Sequence, residues 1–69
     1  MTPVDSSAIA DIGYAEDERT LFVRFRSGEV YAYLDVPPAT FADFADALSK
    51  GAFFQARIDP AFTFLKLDA

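Results

Sequence analysis

Two alternating runs of residues flank a Ser-Gly turn in the stretch Leu21-Phe22-Val23-Arg24-Phe25-Arg26-Ser27-Gly28-Glu29-Val30-Tyr31-Ala32-Tyr33-Leu34-Asp35-Val36-Pro37. Alternation with a period of two places successive side chains on opposite faces of a strand, and a glycine-containing break between two such runs predicts an antiparallel hairpin. The hairpin gathers aromatic and cationic side chains, namely Phe22, Arg24, Arg26, Tyr31 and Tyr33. This group is the strongest candidate for a binding surface that the sequence offers.

The length of the hairpin loop decides which side chains share a face. A two-residue turn at Ser27-Gly28 pairs Arg24 with Tyr31 and interleaves the tyrosines with the arginines, as in platforms that stack single-stranded bases. A three-residue loop with Gly28 in a left-handed conformation shifts the pairing by one residue, and both tyrosines then join the apolar residues of the first strand on the packed face. Ser-Gly is a weaker two-residue turn than Asn-Gly, so turn chemistry leaves both registers open.

The segments before the hairpin predict a first strand and a loop. Residues 8–14 suit a strand with an irregularity near Gly13, because Ile9 and Ile12 are three positions apart. The charged residues 15–19 suit a solvated hairpin loop. Residues 1–6 are short, polar and contain a proline, so we expect them to be loosely ordered ahead of a single domain over residues 7–67.

A helix is predicted after the hairpin, since two consecutive prolines suit the start of a helix. Its apolar stripe follows the spacing i, i+3, i+4, i+7 and consists of Phe41, Phe44, Ala45 and Leu48. Lys50 suits the negative end of the helix dipole, and Gly51 is expected to terminate the helix.

The remaining residues predict two short elements. Residues 52–58 suit a second helix capped by Ser49, with a buried strand as the competing interpretation, and residues 62–67 suit a last short strand or an extended segment. The fold class is therefore α+β: a three-stranded antiparallel meander packed by one amphipathic helix, followed by a short second helix and an extended C-terminal segment.

Composition restricts the chemistry available to the chain. Its 69 residues suit one domain, and it contains no cysteine and no histidine. Disulfides, thiolate chemistry and the usual zinc and imidazole sites are therefore excluded. Eight phenylalanines and three tyrosines are available for a core, and each ring can bury about 150–250 Å².

Net charge and hydropathy limit the partners. The formal charge of −5 disfavours non-specific attraction to a nucleic-acid backbone, so nucleic-acid binding requires a local basic patch. The sequence has no apolar run of membrane-spanning length and no basic-then-apolar signal pattern, so we expect no membrane association and a cytoplasmic location.

No group of residues in the sequence suits catalysis or metal binding. The acidic run at residues 16–18 lacks the spacing of a calcium loop. Asp43 and Asp46 are explained by helix solubility, and the serines have no histidine to activate them. We expect a protein that is not an enzyme and needs no cofactor.

The nucleic-acid hypothesis combines the hairpin with three more cations. Lys50, Arg57 and Lys66 lie in the C-terminal part of the chain and predict a second basic patch, although a scattered solvated surface explains them more simply. The candidate nucleic-acid-binding residues are Phe22, Arg24, Arg26, Tyr31, Tyr33, Lys50, Arg57 and Lys66.

The sequence resembles the KTSC domain family, a short module at the C-terminus of some lysyl-tRNA synthetases that also occurs as a stand-alone small protein. The similarity covers residues 6–67 and is carried by Ser6-Ser7, Ile9, Ile12-Gly13-Tyr14, Leu21, Val23, Phe25, Gly28, Tyr31-Ala32-Tyr33, Val36-Pro37, Leu48, Ser49, Gly51, Phe54 and Ile58. The family has no established activity, and fusion to a synthetase implies RNA binding. In its pattern Leu-x-Val-x-Phe and Tyr-x-Tyr occur together, which favours partly buried tyrosines.

The sequence thus predicts a non-catalytic binding module. Its expected partner is RNA, another single-stranded nucleic acid or a nucleic-acid-handling protein. The alternative is a protein-binding or self-associating module that uses an exposed strand edge or aromatic patch. The sequence leaves the oligomeric state open, with a monomer favoured.

Overall fold

A computed structural model describes residues 2–4 and 6–67 of the chain, and over these residues it shows an antiparallel sheet of five strands in chain order. The strands are β1 (Thr2–Pro3), β2 (Ile9–Ala15), β3 (Thr20–Phe25), β4 (Val30–Tyr33) and β5 (Phe64–Leu67). The helices are α1 (Pro38–Asp46) and α2 (Lys50–Phe53), and α2 continues as a π-helical turn over Phe54–Ile58. The predicted α+β class is confirmed, with a sheet two strands wider than the predicted meander.

The extra strands lie at the two ends of the chain. Thr2 and Pro3 pair with β2, although residues 1–6 are expected to be loosely ordered; of these, Met1 and Asp5 lie outside the described residues. The C-terminal segment is predicted to be either a short strand or an extended segment. It is a strand that pairs with β4.

The β3–β4 hairpin has the three-residue loop. Leu21 lies opposite Tyr33, and Val23 opposite Tyr31. The loop is closed by a hydrogen bond of 2.9 Å from the Gly28 amide to the Phe25 carbonyl. The backbone of Gly28 has a positive φ angle of 100°. Glycine adopts this conformation without the steric penalty of a side chain, so Gly28 allows the three-residue loop to form without strain.

This register sorts the sheet into two faces. Cross-strand partners share a face, so Leu21, Val23, Tyr31 and Tyr33 point to the side that the helices cover. We call this side the helix face, and the opposite side, which carries Phe22, Arg24 and Leu65, the open face. The buried core between the sheet and the helices contains Ile9, Ile12, Leu21, Val23, Tyr33, Val36, Phe44, Phe54 and Ile58.

The irregularity in β2 lies at Ala10 and not near Gly13, where the sequence predicts it. Ile9 pairs with Phe25 while Asp11 pairs with Arg24, so Ala10 is an extra residue on the β2 side. This bulge lets Ile9 and Ile12, which are three positions apart, both reach the core.

Helix α1 is shorter than predicted. Phe44 is fully buried, and Phe41 stacks on Tyr14 with ring centroids 4.7 Å apart. Ala45 is exposed and Leu48 is fully exposed. The last part of the predicted stripe is therefore wrong, because the chain leaves the helix at Ala47, where ψ is 137.

The end of α1 also corrects the roles of two neighbouring residues. Lys50 and Gly51 begin α2 and do not end α1. The Lys50 ammonium nevertheless donates a hydrogen bond of 2.5 Å to the Ala47 carbonyl at the C-terminal end of α1, which is the placement that the helix dipole favours. Ser49 accepts from the Ala52 amide at 3.2 Å, as expected of a helix cap.

Among the described residues, none of the helices has the length and apolar character needed to cross a membrane.

Candidate nucleic-acid interface

The structure does not bring the eight candidate residues together on one surface. Phe22 and Arg24 lie on the open face, whereas Tyr31 and Tyr33 lie on the helix face. Arg24 is 3.6 Å from Asp11 on the neighbouring strand. The separation follows from the three-residue loop, because a change of register by one residue exchanges the faces of one strand.

Tyr33 is a core residue. Its side chain is almost fully buried, its ring packs edge-on against Phe54 at 5.5 Å, and its hydroxyl donates to the Asp59 carboxylate at 3.2 Å. Burial and the nearby Asp59 charge raise the pKa of Tyr33 above its usual range. Its ring is therefore not available for stacking on a base.

Tyr31 lies at the margin of the core and remains partly exposed. Its ring contacts Phe25 in a T-shaped arrangement at 5.5 Å and Phe64 at 5.4 Å. Its hydroxyl lies 3.4 Å from the Glu29 carboxylate. These rings form an aromatic surface at the end of the sheet where the β3–β4 loop lies.

This aromatic surface borders a groove, which we call the hairpin groove. It has a volume of about 450 Å³ and is lined by Ser7, Ala8, Phe25, Arg26, Ser27, Glu29 and Tyr31. The strand β3 ends there, the loop crosses it, and the residues before β2 form the other wall. The groove thus combines rings, hydroxyls and one guanidinium.

Arg26 joins the two walls of the hairpin groove. Its amide donates to the Ala8 carbonyl at 2.9 Å, and its guanidinium donates to the Ser6 carbonyl at 2.5 Å. Ser6 in turn accepts hydrogen bonds from the Ala8 and Ile9 amides, each at 3.3 Å. These bonds fix the segment before β2 against the loop, so the groove is built into the backbone.

The charge at the groove depends on an ion pair between Glu29, which precedes β4, and Lys66 of β5. The Lys66 ammonium lies 2.8 Å from the Glu29 carboxylate. The Lys66 ammonium lowers the pKa of Glu29, and the Glu29 carboxylate raises the pKa of Lys66. Lys66 therefore neutralises the carboxylate that lines the groove.

The acidic loop of the chain lies away from the hairpin groove. Glu16–Glu18 precede β3, whereas the groove lies at the other end of this six-residue strand. Six residues of strand span roughly 20 Å, which exceeds the Debye length of about 8 Å at physiological salt. These three carboxylates therefore contribute little to the electrostatic field at the groove.

The remaining cations have separate partners. Lys50 bonds to Ala47, and the Arg57 guanidinium lies over the Phe53 ring at 5.3 Å. Lys66 belongs to the groove through Glu29. A second groove, of about 530 Å³, lies between β1, β2 and α1 and includes Lys50, but of the candidate residues it contains Lys50 alone in the described part of the chain.

Sequence reasoning missed the groove residues Ser7, Ala8, Phe25, Ser27 and Glu29. The first two precede the bulge at Ala10, and the spacing of Ile9 and Ile12 indicates such a bulge without giving its position. Phe25, Ser27 and Glu29 border the hairpin loop, and the register with the three-residue loop places them near Tyr31.

The comparisons with known proteins agree with the resemblance read from the sequence. The model of the KTSC domain matches residues 5–62. A relative from Tsukamurella paurometabola is 44% identical over 62 residues, which are 90% of this chain and 92% of that protein. A lysine–tRNA ligase from Nostoc punctiforme is 38% identical over 63 residues, which are 91% of this chain but 11% of the ligase.

A solved structure shows the same fold. The crystal structure of a KTSC domain protein from Yersinia pestis is similar to this chain with a TM-score of 0.92 and 43% sequence identity, over 97% of this chain and 94% of that one. The family model and both full-length similarities lead to one assignment: the chain belongs to the KTSC domain family.

Proposed function

We propose that this chain is a non-catalytic module that binds single-stranded RNA in the hairpin groove. The observation that carries the proposal is the presence of Tyr31, Phe25 and Arg26 around one groove of about 450 Å³. Grooves of this size suit small ligands, so the groove takes one nucleotide of a strand.

The aromatic wall supplies the contact with a base. Proteins that bind single strands stack bases on aromatic side chains, which contributes about 1–3 kcal/mol per base. Tyr31 is partly exposed and is held by Phe25 and Phe64. A ring that is fixed in place loses little conformational entropy when a base packs on it.

Arg26 supplies the contact with phosphate. Its guanidinium carries five donors, and its Nε proton is bonded to Ser6, while an Nη2 contact reaches Val4 at 3.5 Å. The remaining donors are available to a phosphate oxygen at the exposed side of the groove. The Ser27 hydroxyl beside it donates to the Glu29 carboxylate at 3.4 Å, which leaves Arg26 as the phosphate contact of the groove.

The ligase relative supports a nucleic-acid partner, since the chain matches a segment of a lysine–tRNA ligase. The same relative leads us to infer a cytoplasmic location. The non-catalytic assignment rests on the lack of histidine and cysteine in the sequence, and residues 2–4 and 6–67 contain no cluster of three or more potential metal ligands.

The test is an NMR titration of the ¹⁵N-labelled chain with a mixed-sequence single-stranded RNA. We expect amide shifts at residues 7–8 and 25–31, and an affinity that falls with a log–log salt slope of about −0.7 to −1.4, the value for one or two phosphate contacts. The absence of shifts at millimolar RNA contradicts the proposal and leaves a nucleic-acid-handling protein as the partner to seek.

Two matched variants localise the binding. Arg26→Gln is expected to weaken RNA binding by about tenfold, the equivalent of 1.4 kcal/mol. Arg24→Gln removes the same charge two residues away but on the open face, so its effect is expected to remain under about twofold, within the range of surface substitutions. Equal losses in the two variants would show non-specific electrostatic binding.

A further inference from the structure

Strand β5 has an unprotected edge. It pairs with β4 on one side, and within residues 2–4 and 6–67 no strand covers its other side. All four of its residues are exposed, and three of them are large and apolar: Phe64 at 48%, Leu65 at 54% and Leu67 at 39% exposure.

The hydrogen-bonding direction of each β5 residue follows from one contact. The Leu34 amide donates to the Thr63 carbonyl at 2.8 Å, so the polar backbone groups of Thr63 point toward β4. These directions alternate along an antiparallel strand. The backbone groups of Leu65 and Leu67 therefore also point toward β4, while those of Phe64 and Lys66 point away from the sheet.

The usual protections of a strand edge do not operate in β5. Native edges are protected by charged side chains, prolines, bulges or a covering segment. Residues 64–67 contain no proline, and their pairing with β4 has no irregularity. Lys66 is the one charged residue among them, and its ammonium is bound to Glu29 of the same molecule.

We propose that two copies of this chain associate through β5, in an antiparallel pair with Leu65 opposite Leu65 of the second copy. A two-fold axis normal to the sheet keeps each face on the same side, so a residue pairs with one on its own face. Within β5 the central residue is then Phe64, Leu65 or Lys66, because centring on Leu67 pairs Lys66 with residue 68, which lies beyond the strand.

Backbone hydrogen bonds select the Leu65-centred register. With Leu65 at the centre, Phe64 of each copy pairs with Lys66 of the other, and the outward backbone groups form four hydrogen bonds. Centring on Phe64 or Lys66 leaves two such bonds within residues 64–67. Centring on Lys66 also places two ammonium groups directly opposite, which is destabilising.

The side chains are consistent with this register. The two Leu65 side chains meet on the open face at a non-hydrogen-bonded position, where side chains are closest. On the helix face, Phe64 of one copy lies beside the aliphatic stem of Lys66 of the other, whose ammonium stays bound to Glu29 of its own molecule. A pair of four-residue strands buries less than the roughly 1,000 Å² of a stable interface, so the dimer is expected at high protein concentration.

Single cysteines test the register, because the natural chain has none. In Leu65→Cys the two thiols lie across a pair whose Cα atoms are about 4.5 Å apart, within the disulfide range of about 4.4–6.8 Å. We expect this variant to form a covalent dimer under mild oxidation.

Leu67→Cys is the matched control, on the same face and strand. In the proposed register Leu67 pairs with Thr63, so the two Leu67 positions are offset by roughly 13 Å along the strand, and we expect slow cross-linking at random-collision rates. Equal cross-linking of the two variants would overturn the register.

Analytical sedimentation of the natural chain and of two lysine variants tests the association itself. The natural chain is expected to show a rising average mass with concentration, and Leu65→Lys is expected to remain monomeric because two ammonium groups would face each other. Leu67→Lys adds the same charge away from the axis and is expected to weaken the dimer less. A dissociation constant of about 1 mM corresponds to a binding free energy of roughly −4 kcal/mol. The proposal would be contradicted if the natural chain stayed monomeric up to this concentration.

Discussion

Tyr31 and Tyr33 lie two positions apart on one strand and on the same face, yet their surroundings differ. Tyr33 is buried against Phe54, with its hydroxyl bonded to Asp59. Tyr31 lies at the margin, where its ring remains partly exposed beside Phe64. Position along the strand, and not face, therefore separates the buried tyrosine from the partly exposed one.

Removal of the Tyr33 hydroxyl tests its structural role. Tyr33→Phe keeps the ring but loses the bond to Asp59, so we expect a loss of about 1 kcal/mol in unfolding free energy. For a domain of this size, that corresponds to a fall in melting temperature of about 4–8 °C, measured by far-ultraviolet circular dichroism.

The pH dependence of this effect has a defined direction. Because the pKa of Tyr33 is raised in the folded state, the folded protein keeps the proton when the unfolded chain loses it above about pH 10. The Tyr33 hydroxyl therefore contributes fully to the unfolding free energy below about pH 10 and contributes less at higher pH. The difference in unfolding free energy between the natural chain and Tyr33→Phe narrows above that pH. Tyr31→Phe serves as the control, and a loss equal to that of Tyr33→Phe would contradict the assignment of Tyr33 to the core.

The length of helix α1 can be tested at two positions of the predicted apolar stripe. Phe44 is fully buried and Leu48 is fully exposed. We expect Phe44→Ala to lower the unfolding free energy by about 3–5 kcal/mol and Leu48→Ala to change it by less than about 0.5 kcal/mol.

Denaturant titration measures both of these effects. Where Phe44→Ala does not fold, Phe44→Leu provides the milder comparison and is still expected to lose more stability than Leu48→Ala. A large loss in Leu48→Ala would show that α1 extends further than Asp46 in solution.

The strands and helices with a strong hydrophobic pattern were predictable from the sequence, but the loops and bulges that connect them were not. Alternation predicts β3 and β4 correctly, and the apolar spacing predicts α1 through Phe44. The hairpin register depends on the φ angle of Gly28, and Ser-Gly is compatible with both loop lengths. Leu48 fits the i+7 position of the apolar stripe in the sequence. The helix nevertheless ends before it, because the backbone at Ala47 is extended and leads to Ser49, the cap of α2.

At the scale of the whole molecule, stability depends on aromatic packing. The chain has no cysteine or histidine, and ring contacts join the sheet to the helices at Tyr14–Phe41, Phe25–Phe54 and Tyr33–Phe54. We therefore expect the melting temperature to be unchanged by a reducing agent or by EDTA. A fall in melting temperature with EDTA would indicate a structural metal ion.

Whole-molecule charge was a poor guide to the candidate site. A net charge of −5 disfavours contact with phosphate, but the acidic residues Glu16–Glu18 lie at the far end of β3 from the hairpin groove. Composition alone averages over this separation, so only the fold shows that Arg26 and Tyr31 lie apart from the acidic loop.

The positions of the three tyrosines also make the chain suited to optical study. Without tryptophan, its near-ultraviolet tyrosine band comes from Tyr14, stacked on Phe41, from the buried Tyr33, and from Tyr31 at the groove. Each chromophore thus reports a different region: the contact with α1, the interior and the hairpin groove. Spectra of three single phenylalanine variants, subtracted from that of the natural chain, would assign each signal without an attached dye.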